Sequence, residues 1–239
     1  MSSPTTPITP LDELLAIGDD ALIAAQRLAQ WCSRAPEMEE DVALANIALD
    51  QLGVARLVLS YAAEVEGAGG DEDTLAYLRD DRQFRNCLLV ELPEPDFAFA
   101  MAKLLFFSAF QRLRYEALVA SADERLAAIA AKAVKESAYH LDHAKLWTLR
   151  LGDGTEESHR RMQHAVDELW PYTHELFEGN ELRPAWLSIV EPVLAQATLT
   201  RPADGWAPSG GRVGLHTEHL SYLLAEMQVV HRAHPGARW

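Results

Sequence analysis

The amino-acid sequence predicts an all-α protein. Apolar residues return at steps of three and four through several long windows, the spacing that lines one side of a helix. Capping residues and acids open these windows, and Gly or Pro runs close them. No window shows the strict apolar-polar alternation between turn residues that marks a strand.

The first helix is expected from Thr9-Pro10-Leu-Asp-Glu, with a cap, a Pro at the helix start and acids in the first turn, and runs to Cys32 before Pro36. Glu37, Glu39, Glu40 and Asp41 suit the positive end of a second helix, whose pattern persists to about Val65 before Gly-Ala-Gly-Gly70. At 1.5 Å per residue that helix is roughly 40 Å long. A short helix over 71–80 follows, and the stretch from Asp81 to Asp96, with Pro93 and Pro95, reads as an irregular crossover. Long helices are expected from Phe97 to Val119 and from Asp123 to Leu151, the latter ended by Gly-Asp-Gly154. Thr155 opens another, weakened at Pro171 and ending at Phe177; Trp186 to Leu199 is shorter and contains Pro192. A Gly and Pro loop from Arg201 to Gly214 leads to a last helix, Thr217 to His231. Two pairs of long helices joined by a long crossover give the outline of a ferritin-like four-helix bundle with additional helices. Residues 1–10 read as a flexible N-terminal lead and 11–239 as a single ferritin-like helical domain.

Composition narrows the partners. The 239 residues carry 21 Lys and Arg against 36 Asp and Glu, a formal net charge of -15, which opposes sequence-independent phosphate binding and argues against nucleic acid. No run approaches the roughly 18 uninterrupted apolar residues of a membrane span, and the first ten residues lack the basic and apolar regions of a signal peptide. A cytoplasmic location without membrane partners is the expectation. Cys32 and Cys87 are far apart and form no metal or redox pair, so both read as core thiols.

The informative constellation is a helix carrying part of a di-iron ligand set. Glu136, Tyr139 and His143 share one face of the helix containing Lys132 to His143. Carboxylate-bridged di-iron bundles take a Glu from each of two helices and a Glu-x-x-His from each of the other two. Here Tyr139 stands where a His is needed after Glu136, and Gly53 stands at the same place after Asp50. On the Phe97 helix, Ser108 and Gln111 are the polar groups where a bridging Glu would sit; Asp19 and Gln26 share a side of the first helix. No catalytic or cofactor-binding residue is expected. Asp50, Glu136, His140 and His143 form a degenerate remnant, because one helix gives too few donors for two irons, although Glu136, His140 and His143 have spacings that bind a single divalent ion. The competing reading is a polar core: Asn46 and Asp50 hydrogen-bond inward and Glu136 pairs with Lys132 or an Arg. His216-Thr-Glu-His219 reads as a helix start capped by Thr217 more than as a metal clip, and Gly210-Gly-Arg-Val-Gly214 as a hinge more than as a phosphate cradle. Nothing resembles a nucleophile elbow.

Six blocks carry a resemblance. They are Gln26-Arg-Leu-Ala-Gln-Trp-Cys32, Ala43-Leu-Ala-Asn-Ile-Ala-Leu-Asp-Gln-Leu-Gly53, Asp71-Glu-Asp-Thr-Leu-Ala76, Asp81-Arg-Gln-Phe-Arg-Asn-Cys-Leu-Leu-Val-Glu91, Lys135-Glu-Ser-Ala-Tyr-His140 and Gly214-Leu-His-Thr-Glu-His-Leu220. Together with Leu224-Ala-Glu-Met-Gln228 and Pro235-Gly-Ala-Arg-Trp239, they resemble the C subunits of the bacterial phenylacetyl-CoA 1,2-epoxidase, a ring-hydroxylating monooxygenase, from about residue 12 onward. The resemblance implies a structural ferritin-like subunit without its own cofactor. It also implies a di-iron A subunit as partner, a small bridging subunit, and an NADPH-dependent reductase with flavin and an iron-sulfur centre, in a complex that epoxidises phenylacetyl-CoA with O2 in aerobic phenylacetate breakdown. The replacements at Gly53, Ser108 and Tyr139 agree with a structural role. The second helix, the Phe97 helix and the acidic surface are the first places to look for partner contacts, and Trp239 is expected to anchor in a groove.

Overall fold

The computed structural model describes residues 9–237, and no strand occurs among them. Residues 1–8 of the expected lead at 1–10, and the expected anchor at Trp239, lie outside the described residues. The α-helices are α1 (Leu11–Ala29), α2 (Met38–Glu66), α3 (Glu72–Tyr77), α4 (Leu88–Glu91), α5 (Phe97–Leu118), α6 (Glu124–Gly152), α7 (Glu156–Leu169), α8 (Arg183–Gln196) and α9 (Glu218–Ala233). Three 3-10 segments, Asp81–Gln83, Trp170–Phe177 and Gly211–Val213, fill the connections. The described residues divide into two compact units: residues 10–93 with 209–237, and residues 94–208 with Thr9.

In the first unit α1 and α2 form a hairpin, α3 packs on α2, and α9 packs on α3 and α4. Every residue of α1 from Leu14 to Ala25 is buried, which is unusual for a helix containing Asp19 and Asp20. Helix α2 ends as the Gly-rich run predicts: Gly67 takes the left-handed conformation, φ 70°, and its N–H donates to the Ala63 carbonyl at 3.1 Å. Among the described residues α2 is the one helix long and apolar enough to cross a membrane by length and composition, with 44% of that window buried inside the molecule.

In the second unit α5 and α6 form the long pair, with α7 and α8 packed against both. Their starts follow the capping logic read from the sequence. Asp96 accepts the Phe99 N–H at 3.1 Å, Asp123 that of Leu126 at 3.1 Å and Thr155 that of Ser158 at 3.1 Å. Pro171 ends α7, and the chain continues as the 3-10 segment Trp170–Phe177. The core centres on Trp186, whose ring lies 5.5 Å from Trp170, 5.7 Å from Phe106 and 5.3 Å from Phe177, and whose indole N–H donates to the Phe106 carbonyl at 2.9 Å. Truncating a buried aromatic of this kind costs about 3–5 kcal/mol. An exposed ion pair such as Arg160 with Glu157 contributes about 0–1 kcal/mol, so packing decides this unit's stability. The loop after α8 is tied down by Asp204. Partial burial favours the neutral acid there, but hydrogen bonds from Arg183, the Trp170 indole and Arg201 prevail and hold its carboxyl well below the ordinary carboxylate range.

Two starts differ from the sequence expectation. Thr9 does not cap α1: its N–H and hydroxyl donate to Asp123 Oδ2 at 2.9 and 2.6 Å, and Pro10 occupies the cap position. Helix α8 begins at Arg183, three residues before Trp186, because Pro184 is accommodated in the first turn. At the end of α6, Gly152 faces the Ala197 backbone so closely that a Cβ would run into the carbonyl oxygen. Gly152→Ala is therefore expected to lower stability by about 1–3 kcal/mol, whereas Gly205→Ala, with open space around it, leaves the melting temperature nearly unchanged; thermal unfolding of the two variants checks this.

Candidate functional site

The remnant residues are distributed over both units. In the second unit, Glu136, His140 and His143 lie along one side of α6, with His140 buried and the other two half-buried. Glu136 Oε1 pairs with Lys132 Nζ at 3.1 Å, and its Oε2 is buried without a hydrogen bond. Tyr139 does not join this side. It is 67% exposed, since three residues from Glu136 fall short of a full turn and leave it about 100° around the helix from His140. The sequence expectation of Tyr139 on the inner face is corrected accordingly. On α5, Ser108 is fully buried and donates its hydroxyl to the Leu104 carbonyl at 2.5 Å, while Gln111 donates to the Tyr115 hydroxyl at 3.1 Å. Both polar groups are engaged in their own helix.

In the first unit, Asp50 is half-buried on α2, Gly53 supplies no side chain, and Asn46 is exposed rather than turned into the core. Leu49, Leu52 and Leu57 are exposed as well. Among the described residues, no three His, Cys, Asp or Glu side chains converge as metal ligands do. Two irons need about four carboxylates and two imidazoles, and this donor set does not fit that requirement.

The concentrated chemistry of the first unit lies elsewhere, in a buried charged network that sequence reasoning missed. Asp20 binds Arg212 in a two-point fork, Oδ1 to Nη1 and Oδ2 to Nη2 at 2.8 Å each, and also accepts the Cys87 N–H at 2.8 Å. Arg212 additionally donates to the carbonyls of Ala16 and Arg85, at 3.2 and 2.9 Å. Asp19 pairs with Arg79 and accepts the Arg85 N–H at 2.8 Å. Complete burial pushes the Asp19 carboxyl up from its ordinary range, against the opposing pull of the Arg79 guanidinium. That guanidinium also lies 4.3 Å over the Phe84 ring.

Glu91, fully buried at the end of α4, closes the network. Its Oε1 accepts the Thr217 N–H at 2.6 Å; its Oε2 accepts from Asn86 at 2.8 Å and faces His216 Nδ1 at 2.7 Å. Its backbone carbonyl receives Arg27 Nε at 2.9 Å. His216 Nε2 faces the Phe84 carbonyl at 3.1 Å. A carbonyl only accepts, so the contact to Phe84 is a hydrogen bond when Nε2 carries the hydrogen. Thr217 occupies the cap position of α9, but its side chain makes no cap bond. A carboxylate borrowed from α4 satisfies the helix start instead. In the Gly210–Gly214 run, Gly214, φ 80°, sits against the Arg82 carbonyl where any Cβ would clash. The signal that could have exposed this network was Asp19-Asp20, two adjacent acids in the middle of an otherwise apolar helix. Burial on that scale requires partners.

The described residues are all helical, with a crossover clamped by buried charge, and comparison with known proteins gives the family. The chain belongs to the phenylacetic acid catabolic protein family, whose model matches residues 4–239. It is 47% identical over 241 residues to the C subunit of the 1,2-phenylacetyl-CoA epoxidase of Escherichia coli (strain K12), covering 94% of this chain and 97% of that protein.

Removing the Glu91 carboxylate leaves His216, Asn86 and the Thr217 N–H without their acceptor. Glu91→Ala is expected to cost about 3–5 kcal/mol, and proton-resolved NMR of the wild-type His216 ring is expected to show a protonated Nε2 at neutral pH. An Nε2 lacking its proton, or a neutral effect of the substitution, contradicts this assignment.

Proposed function

We propose that this chain is the non-catalytic structural subunit of a phenylacetyl-CoA 1,2-epoxidase complex, a ferritin-like four-helix bundle that pairs with a di-iron A subunit in cytoplasmic phenylacetate catabolism. The observation that carries the reading is the incomplete donor set: Gly53 offers no ligand, Ser108 spends its hydroxyl on its own helix, and Tyr139 faces outward. The 47% identity to the C subunit of an epoxidase over nearly the whole chain supports the same conclusion. In such a complex the partner's iron supplies oxygen activation, and the NADPH-dependent flavin and iron-sulfur reductase supplies electrons. This chain contributes a preformed helical surface, and the assembly is completed by a small bridging subunit. Its net charge of -15 makes nucleic acid an unfavourable partner.

A second reading is favoured by one observation, the buried Oε2 of Glu136 without a hydrogen bond. It makes the chain an independent ferritin-like metal-dependent oxygenase or peroxidase using Asp50, Glu136, His140 and His143. Purified alone, the chain is expected to contain far less than one iron per molecule and to turn over no phenylacetyl-CoA, and to support epoxidation only when mixed with the A subunit and reductase. Near two irons per chain, lost on Glu136→Ala, favours the second reading and contradicts the first.

A further inference from the structure

Ser221, Leu224, Gln228 and Arg232 follow one another on α9 at steps of three, four and four, which puts them on one side of the helix. With residues 80–83 of the crossover they line a cavity of about 470 Å³, within the roughly 300–1,000 Å³ of small-molecule sites. Its polar groups are unevenly committed. Gln228 is 4% exposed, and its Nε2 donates to the Ala76 and Arg79 carbonyls at 3.0 Å each. Carbonyls only accept, so the orientation of that amide is settled, and its Oε1 is an acceptor without a hydrogen bond among the described residues. Arg232 gives its guanidinium to the Tyr77 and Arg79 carbonyls at 2.9 and 3.1 Å, with Asp80 at 3.4 Å. Asp81 accepts the Ser221 hydroxyl at 2.7 Å. That bond above all, with smaller pulls from Arg82 and His216 and against the effect of partial burial, holds the Asp81 carboxyl below its ordinary range and so ionised at neutral pH. Arg82 is exposed, and its guanidinium makes no hydrogen bond among the described residues.

The charges of the lining balance, Asp80 and Asp81 against Arg82 and Arg232, so a simple cation or a simple anion meets like charge as well as opposite. Two groups remain to be satisfied: the buried acceptor of Gln228 and the guanidinium of Arg82. A ligand that matches both carries a donor at one end and a negative charge at the other. We propose that the cavity binds a small zwitterion with an apolar group, the chemistry of an aliphatic amino acid. Its ammonium donates to Gln228 Oε1 and the Asp81 carboxylate, its carboxylate meets Arg82, and its side chain lies against Leu224 and Ala225, the apolar part of the lining. The site uses none of Asp50, Glu136, His140 and His143 and does not depend on the subunit reading.

The test titrates the isotope-labelled full chain with leucine, with isoamylamine, which lacks the carboxylate, and with isocaproate, which lacks the ammonium, and follows the NMR signals of the Gln228 side-chain amide and of residues 80–83. Leucine is expected to give saturable shifts there, and each analogue to bind at least about tenfold more weakly, the worth of one charge-assisted hydrogen bond. Arg82→Gln, at an exposed position where folding is expected to survive and is checked by circular dichroism, lowers leucine affinity by a similar factor and leaves that of isoamylamine unchanged. Arg160→Gln, an exposed change on α7, binds leucine as wild type does. Absence of saturable shifts at these residues overturns the proposal. So does equal binding of leucine and its two analogues, or wild-type leucine affinity in Arg82→Gln.

Discussion

Two adjacent carboxylates in the middle of a buried helix set the terms for the first unit. Asp19 and Asp20 sit where α1 is otherwise apolar, and a charge in that position is tolerable only if it is met by cations and N–H donors. Arg79 comes from the segment after α3, Arg212 from the turn before α9, and the backbone N–H groups of Arg85 and Cys87 from the crossover between them. Distant segments therefore converge on one helical turn. Glu91 repeats the device one step along, drawing Asn86, His216 and the start of α9 to the end of α4. Buried ion pairs of this kind add little net stability over apolar packing, because desolvation offsets their attraction. In this structure they tie the crossover to α1 through the Arg85 and Cys87 N–H groups and to the start of α9 through Glu91.

The charged network and the depleted ligand pattern bear on each other. Polar residues are retained inside this protein where they fix irregular chain, whereas positions at which di-iron bundles place ligands hold a glycine on α2, a self-satisfied serine on α5 and an outward tyrosine on α6. A chain organised in this way invests its buried charge in shape.

Helix content and most helix limits were legible in the sequence because local rules govern them. Asp96, Asp123 and Thr155 cap the helices that their positions announce, and Gly67 ends α2 as a left-handed glycine. Misreadings arose where a distant group competes with the local one. Thr9 is taken by Asp123, and Thr217 cedes its capping role to Glu91 from more than a hundred residues away. The close approach of Gly214 to the Arg82 carbonyl is invisible in the local sequence. Periodicity placed Leu49, Leu52 and Leu57 on α2 without distinguishing its inner from its outer side, since a helix apolar most of the way round gives no strong directional signal. For the remnant, spacing identified Glu136, His140 and His143 as neighbours on one side of α6 and misjudged Tyr139 by a fraction of a turn.

The decisive measurement is the steady-state epoxidation rate of the reassembled complex in which this chain carries Glu136→Gln and His143→Gln together, conservative changes that remove a carboxylate and an imidazole without altering helix propensity greatly. If these residues are packing groups in a structural subunit, turnover stays within about twofold of wild type at equal assembly. A loss of about 100-fold or more, with assembly and folding intact, would mean that the chain takes part in the chemistry and would contradict the account.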